Sequence, residues 1–371
     1  QLQKGADGLD LARLRRAAVN SASRFAQTFP ADPRSGIVLT DAAEQLYALN
    51  DADQANRVAL QILDLKPPAT DAQRRVAWGI VANTAFKRGA YSLSEQAYAK
   101  VLQLTPQQDA GYKALYESQV VSIYKQGEQA KTDGHLKEAA EHFTRVSSMA
   151  TQPAMRANAH FDAAAALVGN KQWAQAETML VDFRQRYPQH PLQPDITPKL
   201  ALAYSEQGKW ALAATEMERL SAISKDAAIA RDAMLQAATF HEKAGSRGAS
   251  TKAYERYLAQ TLAIKPVPLV QVIEVRARLL NLAKQDGNAK RELALQKDIY
   301  DTDRNGGDAR TDRTRYLGAT AALALAAPVA QAYRQVALVE PLQKQLKLKK
   351  AKLEEALNAY ALASEPGVAD V

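Results

Sequence analysis

A short pattern of polar and apolar positions recurs along the chain and predicts pairs of helices joined by tight turns. Each copy has a turn residue, one spacer, an aromatic or apolar residue, two spacers and then Ala or Ser in most copies. The turns at 134, 171, 208 and 245 are 37 residues apart, and the others are 39 to 45 apart. Such self-similarity indicates a repeat architecture. The seven turn residues are Asn50, Gly89, Gly134, Lys171, Gly208, Gly245 and Gly287.

The residues on either side of each turn predict close packing between the two helices. Seven residues before the turn stands a small residue, which lets two helices approach closely. A larger residue follows the Ala or Ser by four positions and therefore lies on the same helical face, one turn further on. The small residues are Ala43, Ala82, Gly127, Ala164, Ala201 and Ala238, and the larger ones are Tyr98, Phe143, Leu180, Met217 and Tyr254.

This pattern resembles the tetratricopeptide repeat (TPR) family. The fullest copy consists of Trp78, Ala82, Gly89, Tyr91, Ser94, Tyr98 and Pro106. The unit is nearer 37 than the usual 34 residues, and a non-repeat helical bundle is the alternative. The resemblance implies an all-α fold, an α-solenoid in which TPR-like helical pairs form a right-handed superhelix with a concave groove. It also implies that aromatic residues such as Trp173 and Trp210 pack between helices.

The pattern divides the chain into three parts. Residues 1–35 are predicted to be an N-terminal partial repeat helix, ended by Pro30 and Pro33, and residues 36–303 a TPR-like array of about seven units. Residues 304–371 are predicted to be C-terminal helices of a chain that continues beyond Val371. Within this part we expect a loop over 304–312 and then three helices: Arg313 to Ala327, Pro328 to Glu340, and Pro341 to about Ser364.

Composition excludes several kinds of chemistry. The chain has no cysteine, which rules out disulfides, thiolate catalysis and thiolate zinc sites. It has no run of 18 apolar residues and therefore no predicted membrane-spanning helix. No pair of its five histidines has metal-ligand spacing, and no nucleotide-binding or nucleophile motif is present. We therefore expect a protein that is not an enzyme and that has no metal and no cofactor.

The groove implied by the resemblance is the predicted binding site. Its aromatic, amide and charged side chains suit a protein or peptide partner, because rigid anchors would stand beside hydrogen-bonding groups. The candidate partner-binding residues are Asn83, Phe86, Lys87, Tyr124, Glu128, Lys131, Asn158, Phe161, Asn281 and Lys284. The equivalent groove positions also include Ser205, Glu206, Glu242, Lys243 and Gln285.

The net charge of +8 leaves a second class of function open. A binder of an anionic polymer or surface, such as nucleic acid, glycan or membrane, is one alternative, and the non-catalytic part of a larger enzyme is another. Nucleic acid is not the expected partner, because the groove positions form no continuous basic stripe. The dense lysines between Lys344 and Lys352 are interpreted as a solvated helix face or a docking face.

The C-terminal stretch is similar to a narrower group of bacterial envelope TPR proteins. The similar residues are Pro341-Leu342, Leu348 to Lys350, Leu353 to Ala356, Ala359-Tyr360 and Gly367 to Ala369. The group includes gliding-motility lipoproteins encoded beside Tol/Ton-type motor components. This similarity implies a scaffold in a cell-envelope assembly that is periplasmic or outer-membrane-associated. A cytoplasmic location is the alternative. Any peripheral membrane association is expected through a part outside this sequence.

Overall fold

The computed structural model of the protein is all-α over the residues it describes, 8–364, with the side chains of 8–12 and 15 left aside. The ends of the two predicted terminal segments, including Gly367 to Ala369, lie outside the described residues. Residues 8–364 contain seventeen α-helices and no β-strand. The helices are α1 (Gly8–Thr28), α2 (Arg34–Ala48), α3 (Ala52–Leu63), α4 (Asp71–Lys87), α5 (Tyr91–Gln103), α6 (Tyr112–Thr132), α7 (Leu136–Met149), α8 (Pro153–Gly169), α9 (Trp173–Arg186), α10 (Gln193–Glu206), α11 (Trp210–Ile223), α12 (Ala227–Lys243), α13 (Arg247–Leu262), α14 (Leu269–Gln285), α15 (Ala289–Arg304), α16 (Asp312–Gln335) and α17 (Leu342–Ser364).

Helices α2 to α15 form seven consecutive helical hairpins, numbered here hairpin 1 (α2 and α3) to hairpin 7 (α14 and α15). The two helices of each hairpin pack against each other, α1 packs on α2, and α16 and α17 form a terminal pair. The chain separates into two compact units, Gln1–Gln193 and Pro194–Val371. Hairpins 1–4 belong to the first unit, and hairpins 5–7 with the terminal pair belong to the second. The boundary lies inside the stretch predicted as one array.

One backbone geometry closes all seven hairpins. Every predicted turn residue has a positive φ, between 57° and 81°. The N–H of the next residue then donates to the carbonyl five residues earlier, as from Ala90 to Ala85 at 2.9 Å and from Gln172 to Leu167 at 2.9 Å. This is the Schellman arrangement that ends a helix in a left-handed residue. The predicted turn positions are therefore confirmed, and the preference for glycine there follows from φ.

Replacing Lys171 by glycine is expected to stabilise the protein by about 1 kcal/mol, because a side chain is unfavourable in the left-handed region. Lys171 has a φ of 57° and is exposed. Urea unfolding followed by circular dichroism measures the change. Gly208→Lys at the equivalent turn, where φ is 70°, serves as the reverse control and should destabilise. An unchanged or lower stability for Lys171→Gly would contradict this account.

Small residues allow the helices of a hairpin to approach, as predicted. Ala82 and Ala238 are fully buried, and each backbone carbonyl accepts a hydrogen bond from a serine on the second helix. Ser94 Oγ donates to Ala82 at 3.0 Å, and Ser250 Oγ donates to Ala238 at 2.9 Å. A fully buried hydroxyl needs a hydrogen-bond partner of this kind. The recurring Ala or Ser is therefore a packing position, and where it is Ser its hydroxyl also links the second helix to the backbone of the first.

The terminal pair differs from the prediction at Pro328. The expected break there is wrong, because α16 runs unbroken from Asp312 to Gln335. Proline removes one backbone donor and usually ends or kinks a helix. Here its ring is exposed, whereas Ala326 and Ala330 on either side are buried, so tertiary packing supports the helix on both sides. The last predicted helix is confirmed as α17, and the loop contains a short 3₁₀ turn over Gly307–Ala309.

Candidate protein-binding groove

The first helices of hairpins 5, 6 and 7 leave two open cavities of about 380 Å³ each. Cavity A lies between α10 and α12, and cavity B lies between α12 and α14. We call them together the two-cavity groove. Cavity A is lined by Pro198, Ala201, Leu202, Ser205, Met217, Leu220, Ile229, Asp232, Ala233, Gln236 and Phe240. Cavity B is lined by Leu235, Thr239, Tyr254, Tyr257, Val270, Gln271, Glu274, Val275 and Arg278.

The two cavities are built from equivalent repeat positions. The turns that relate hairpins 5 and 6 are 37 residues apart, and those that relate hairpins 6 and 7 are 42 apart. The same spacings relate the walls of the cavities. The pairs at a spacing of 37 are Pro198 with Leu235, Leu202 with Thr239, Met217 with Tyr254 and Leu220 with Tyr257. Those at 42 are Ile229 with Gln271, Asp232 with Glu274, Ala233 with Val275 and Gln236 with Arg278.

Cavity A is mainly apolar and accessible. Leu202 is 42% exposed and Ile229 is 50% exposed, and both line the cavity together with Met217 and Leu220 of α11. Covering apolar surface gains about 25 cal/mol per Å². These side chains belong to regular helices, so the cavity is formed before any partner arrives. It is a surface that gains free energy from being covered.

Cavity B carries charges that neutralise one another. The hydroxyl of Tyr254 donates to Glu242 at 2.8 Å, and Arg278 lies 3.6 Å from the same carboxylate. Burial of the Tyr254 hydroxyl, with a smaller effect from Glu242, raises its pKa to about 12. Glu274 forms an ion pair with Arg313 of α16 at 2.8 Å. Cavity B is thus more polar than cavity A, with its charges already compensated.

In the first unit, a large side chain of α6 stands at the equivalent position and contacts α7 and α8. Tyr124 is the counterpart of Pro198, two repeats of 37 residues earlier. Its ring lies 5.2 Å from that of Phe143, and its hydroxyl donates to Asp162 at 2.6 Å. Burial and the neighbouring Asp162 carboxylate raise the pKa of Tyr124. In the second unit the equivalent residues, Pro198 and Leu235, are smaller and line cavities A and B.

Several predicted groove residues of the first unit make contacts within the fold. Asn83 donates to the carbonyl of Gly79 and accepts from the hydroxyl of Tyr98, both at 2.8 Å. Three other candidates make ring contacts: Phe86 with Tyr91 at 5.4 Å, Phe161 with Phe183 at 5.8 Å, and the Lys87 ammonium with Tyr47 at 4.9 Å. Half-buried rings and paired amides at these positions stabilise the helix array.

The remaining predicted residues are more accessible. Glu128 accepts a hydrogen bond from Lys125 at 2.6 Å. Lys131, Asn158, Asn281 and Lys284 are exposed. Eight of the ten candidates lie in the first unit, and Asn281 and Lys284 lie on α14 without lining cavity A or B. The structure therefore does not gather the ten into a single site, and their role in binding stays a prediction.

Other side chains singled out in the sequence have packing roles. Trp210 stacks on Phe240 with ring centroids 5.9 Å apart, and Lys243 lies over the Trp210 ring at 4.5 Å. In the lysine-rich helix α17, Lys349 donates to the carbonyl of Val336 and Lys352 donates to Glu355. Among the described residues, no group of three His, Asp or Glu side chains is arranged for a metal ion, and none of the helices is long and apolar enough to cross a membrane.

Of the groove positions predicted from the sequence, Ser205 lines cavity A, but the apolar residues that form most of the groove are not predicted. Pro198, Leu202, Ile229 and Leu235 were not singled out because an apolar residue on a helix is usually buried. One signal could have found them: positions 124, 161, 198 and 235 read Tyr, Phe, Pro and Leu at a spacing of 37. The loss of the aromatic residue after 161 marks the place where the face opens.

Comparison with known proteins gives matches among solved structures. No protein-family model and no curated protein matches the sequence. The C-terminal part of a TPR repeat-containing protein from Cytophaga hutchinsonii is 14% identical, with 73% of this chain and 97% of that chain covered and a TM-score of 0.37. A tetratricopeptide repeat protein from Parabacteroides merdae is 13% identical, with 73% and 92% covered and a TM-score of 0.26. The P58(IPK) TPR domain is 14% identical, with 94% and 98% covered and a TM-score of 0.27.

These TM-scores are low, so the assignment depends on the chain's own residues. Seven hairpins share one turn geometry, six have a small residue and five have a large residue at the expected repeat positions. The chain is an all-α array of helical hairpins, and its repeat positions resemble those of the tetratricopeptide repeat.

Proposed function

We propose that the chain is a protein-interaction scaffold and that its two-cavity groove binds a segment of a protein partner. The observation that carries this proposal is the pair of repeat-equivalent cavities on either side of α12. A small molecule would fill one cavity, whereas a polypeptide segment can place side chains in both. Rigid helices need little ordering upon binding, so modest contacts in each cavity can add up to useful affinity.

Selection from a phage-displayed library of random 12-residue peptides tests the proposal. The intact chain is the bait, and fluorescence anisotropy measures the affinity of the enriched peptides. We expect peptides with apolar anchors whose affinity falls at least tenfold in Leu202→Asp, because a charge there meets the apolar wall of cavity A.

Leu293→Asp is the matched control for this experiment. Leu293 is 54% exposed on α15 and lines neither cavity of the groove. The Leu293→Asp variant should bind the enriched peptides with an affinity within twofold of that of the unchanged chain. A selection without enriched peptides, or an equal loss of affinity in both variants, would refute the groove as the binding site.

We also propose that this scaffold acts in a bacterial cell envelope, in a periplasmic or outer-membrane-associated assembly. The support is the sequence similarity of the C-terminal stretch described above. Fractionation of cells that produce the full-length protein tests it, with recovery in the envelope fractions as the expected result. Recovery in the cytoplasmic fraction alone would refute this location and leave the groove proposal standing.

A further inference from the structure

We infer that the partner segment is an extended one, with large apolar side chains at positions i and i+3 and a lysine or arginine beside the anchor that enters cavity A. The inference rests on the proposed function and deepens it. It follows from the width of the ridge that separates the cavities and from the charge at the rim of cavity A.

Helix α12 is the ridge over which such a segment must pass. Asp232 and Gln236 line cavity A, whereas Leu235 and Thr239 of the same helix line cavity B. A segment that fills both cavities therefore crosses α12 and places one side chain on each flank. Because an α-helix with its side chains is about 10 Å across, anchors on the two flanks of α12 are separated by about that distance.

This distance selects the spacing of the anchors. A polyproline II segment rises about 3.1 Å per residue with three residues per turn, so side chains at i and i+3 share a face about 9 Å apart. In a β-strand, side chains on one face repeat every two residues, about 7 Å apart, and then every four, about 13 Å apart. The polyproline II spacing of three residues therefore fits the ridge.

The ridge also offers a hydrogen-bonding group to the backbone of the segment. Gln236 is exposed and forms no hydrogen bond with the described residues. Its side-chain amide can both donate and accept. A polyproline II backbone has no internal hydrogen bonds, so its peptide groups are available to Gln236.

The charge at cavity A favours a basic segment. The rim position is acidic in all three first helices, as Asp195, Asp232 and Glu274. Glu274 is paired with Arg313, whereas Asp232 is exposed and forms no ion pair with the described residues. A lysine or arginine next to the cavity A anchor would therefore meet a carboxylate that has no other partner. Such complementarity sets specificity and register more than affinity.

Synthetic 10-residue peptides of one composition test the inference by fluorescence anisotropy with the intact chain. The two leucines stand at i and i+2, at i and i+3, or at i and i+5, and the residue beside the first leucine is Lys or Glu. We expect the peptide with leucines at i and i+3 to bind at least tenfold more tightly than the other spacings. The Lys form should bind at least fivefold more tightly than the Glu form.

A charge reversal in the protein tests the role of the rim. Asp232→Lys should invert the preference so that the Glu peptide binds more tightly, whereas Asp308→Lys, at another exposed aspartate of the same unit, should not. Equal affinity for all spacings, or an unchanged charge preference in Asp232→Lys, would overturn the inference. If library peptides of a different pattern still bind with an affinity that depends on Leu202, the proposed function stands without this inference. If neither the library peptides nor the synthetic peptides bind, both the proposed function and this inference are refuted.

Discussion

Gly127→Leu is expected to lower the free energy of unfolding by about 3 kcal/mol, at the upper end of the cost of overfilling a core. A Cβ atom at Gly127 would lie 2.7 Å from Cε1 and 2.9 Å from Cδ1 of Phe143, which is itself fully buried. The ring cannot retreat, because Tyr124 packs against it. Urea unfolding of the intact chain, followed by circular dichroism, measures the effect.

Gly79→Leu is the matched control, because Gly79 also lies inside a first helix. A Cβ atom at this position would meet nothing within 4 Å. Leucine is a better helix former than glycine by roughly 0.5–1 kcal/mol, so this variant should be unchanged or slightly more stable. Equal destabilisation by the two substitutions would show that helix packing at Gly127 is not the cause.

Asp303→Ala is expected to cost about 3 kcal/mol, because it leaves a largely buried arginine without its partner. Asp303 is 1% exposed at the end of α15, and its Oδ2 accepts a hydrogen bond from Arg310 at 2.7 Å. The Arg310 side chain is 20% exposed. The ion pair therefore connects α15 with the loop that leads to the terminal pair.

A double-mutant cycle separates the pair from its surroundings. If the two charges act together, Asp303→Ala combined with Arg310→Ala should cost clearly less than the sum of the two single variants. Thermal unfolding of the four proteins provides the comparison. Strictly additive losses would contradict the assigned role of the pair, and little loss in Asp303→Ala would do so directly.

The turns and the helical hairpins could be predicted from the sequence because each depends on local chemistry. A left-handed residue must close every hairpin, and Gly134, Gly208 and Gly245 mark that position at a constant spacing. The helix break predicted at Pro328 is wrong for the opposite reason. Its local preference is to break a helix, but the buried alanines on either side decide the outcome.

The groove could not be predicted in the same way, because it depends on what stands opposite each residue. Tyr124 contacts Phe143 and Asp162, whereas the smaller Pro198 at the equivalent position lines an open cavity. The repeat register alone does not distinguish a filled position from an open one. The predicted residues Asn83 and Phe161 lie on the expected helices, but their contacts are internal.

The packing of helices against their neighbours in sequence has a kinetic consequence. Contacts between close sequence neighbours give a low contact order, and proteins of low contact order fold fast. Such arrays also open in parts, since each hairpin depends mainly on the next. A peptide in the two-cavity groove would therefore slow amide hydrogen exchange first in hairpins 5–7, which form it, so exchange measurements can locate the bound segment along the chain.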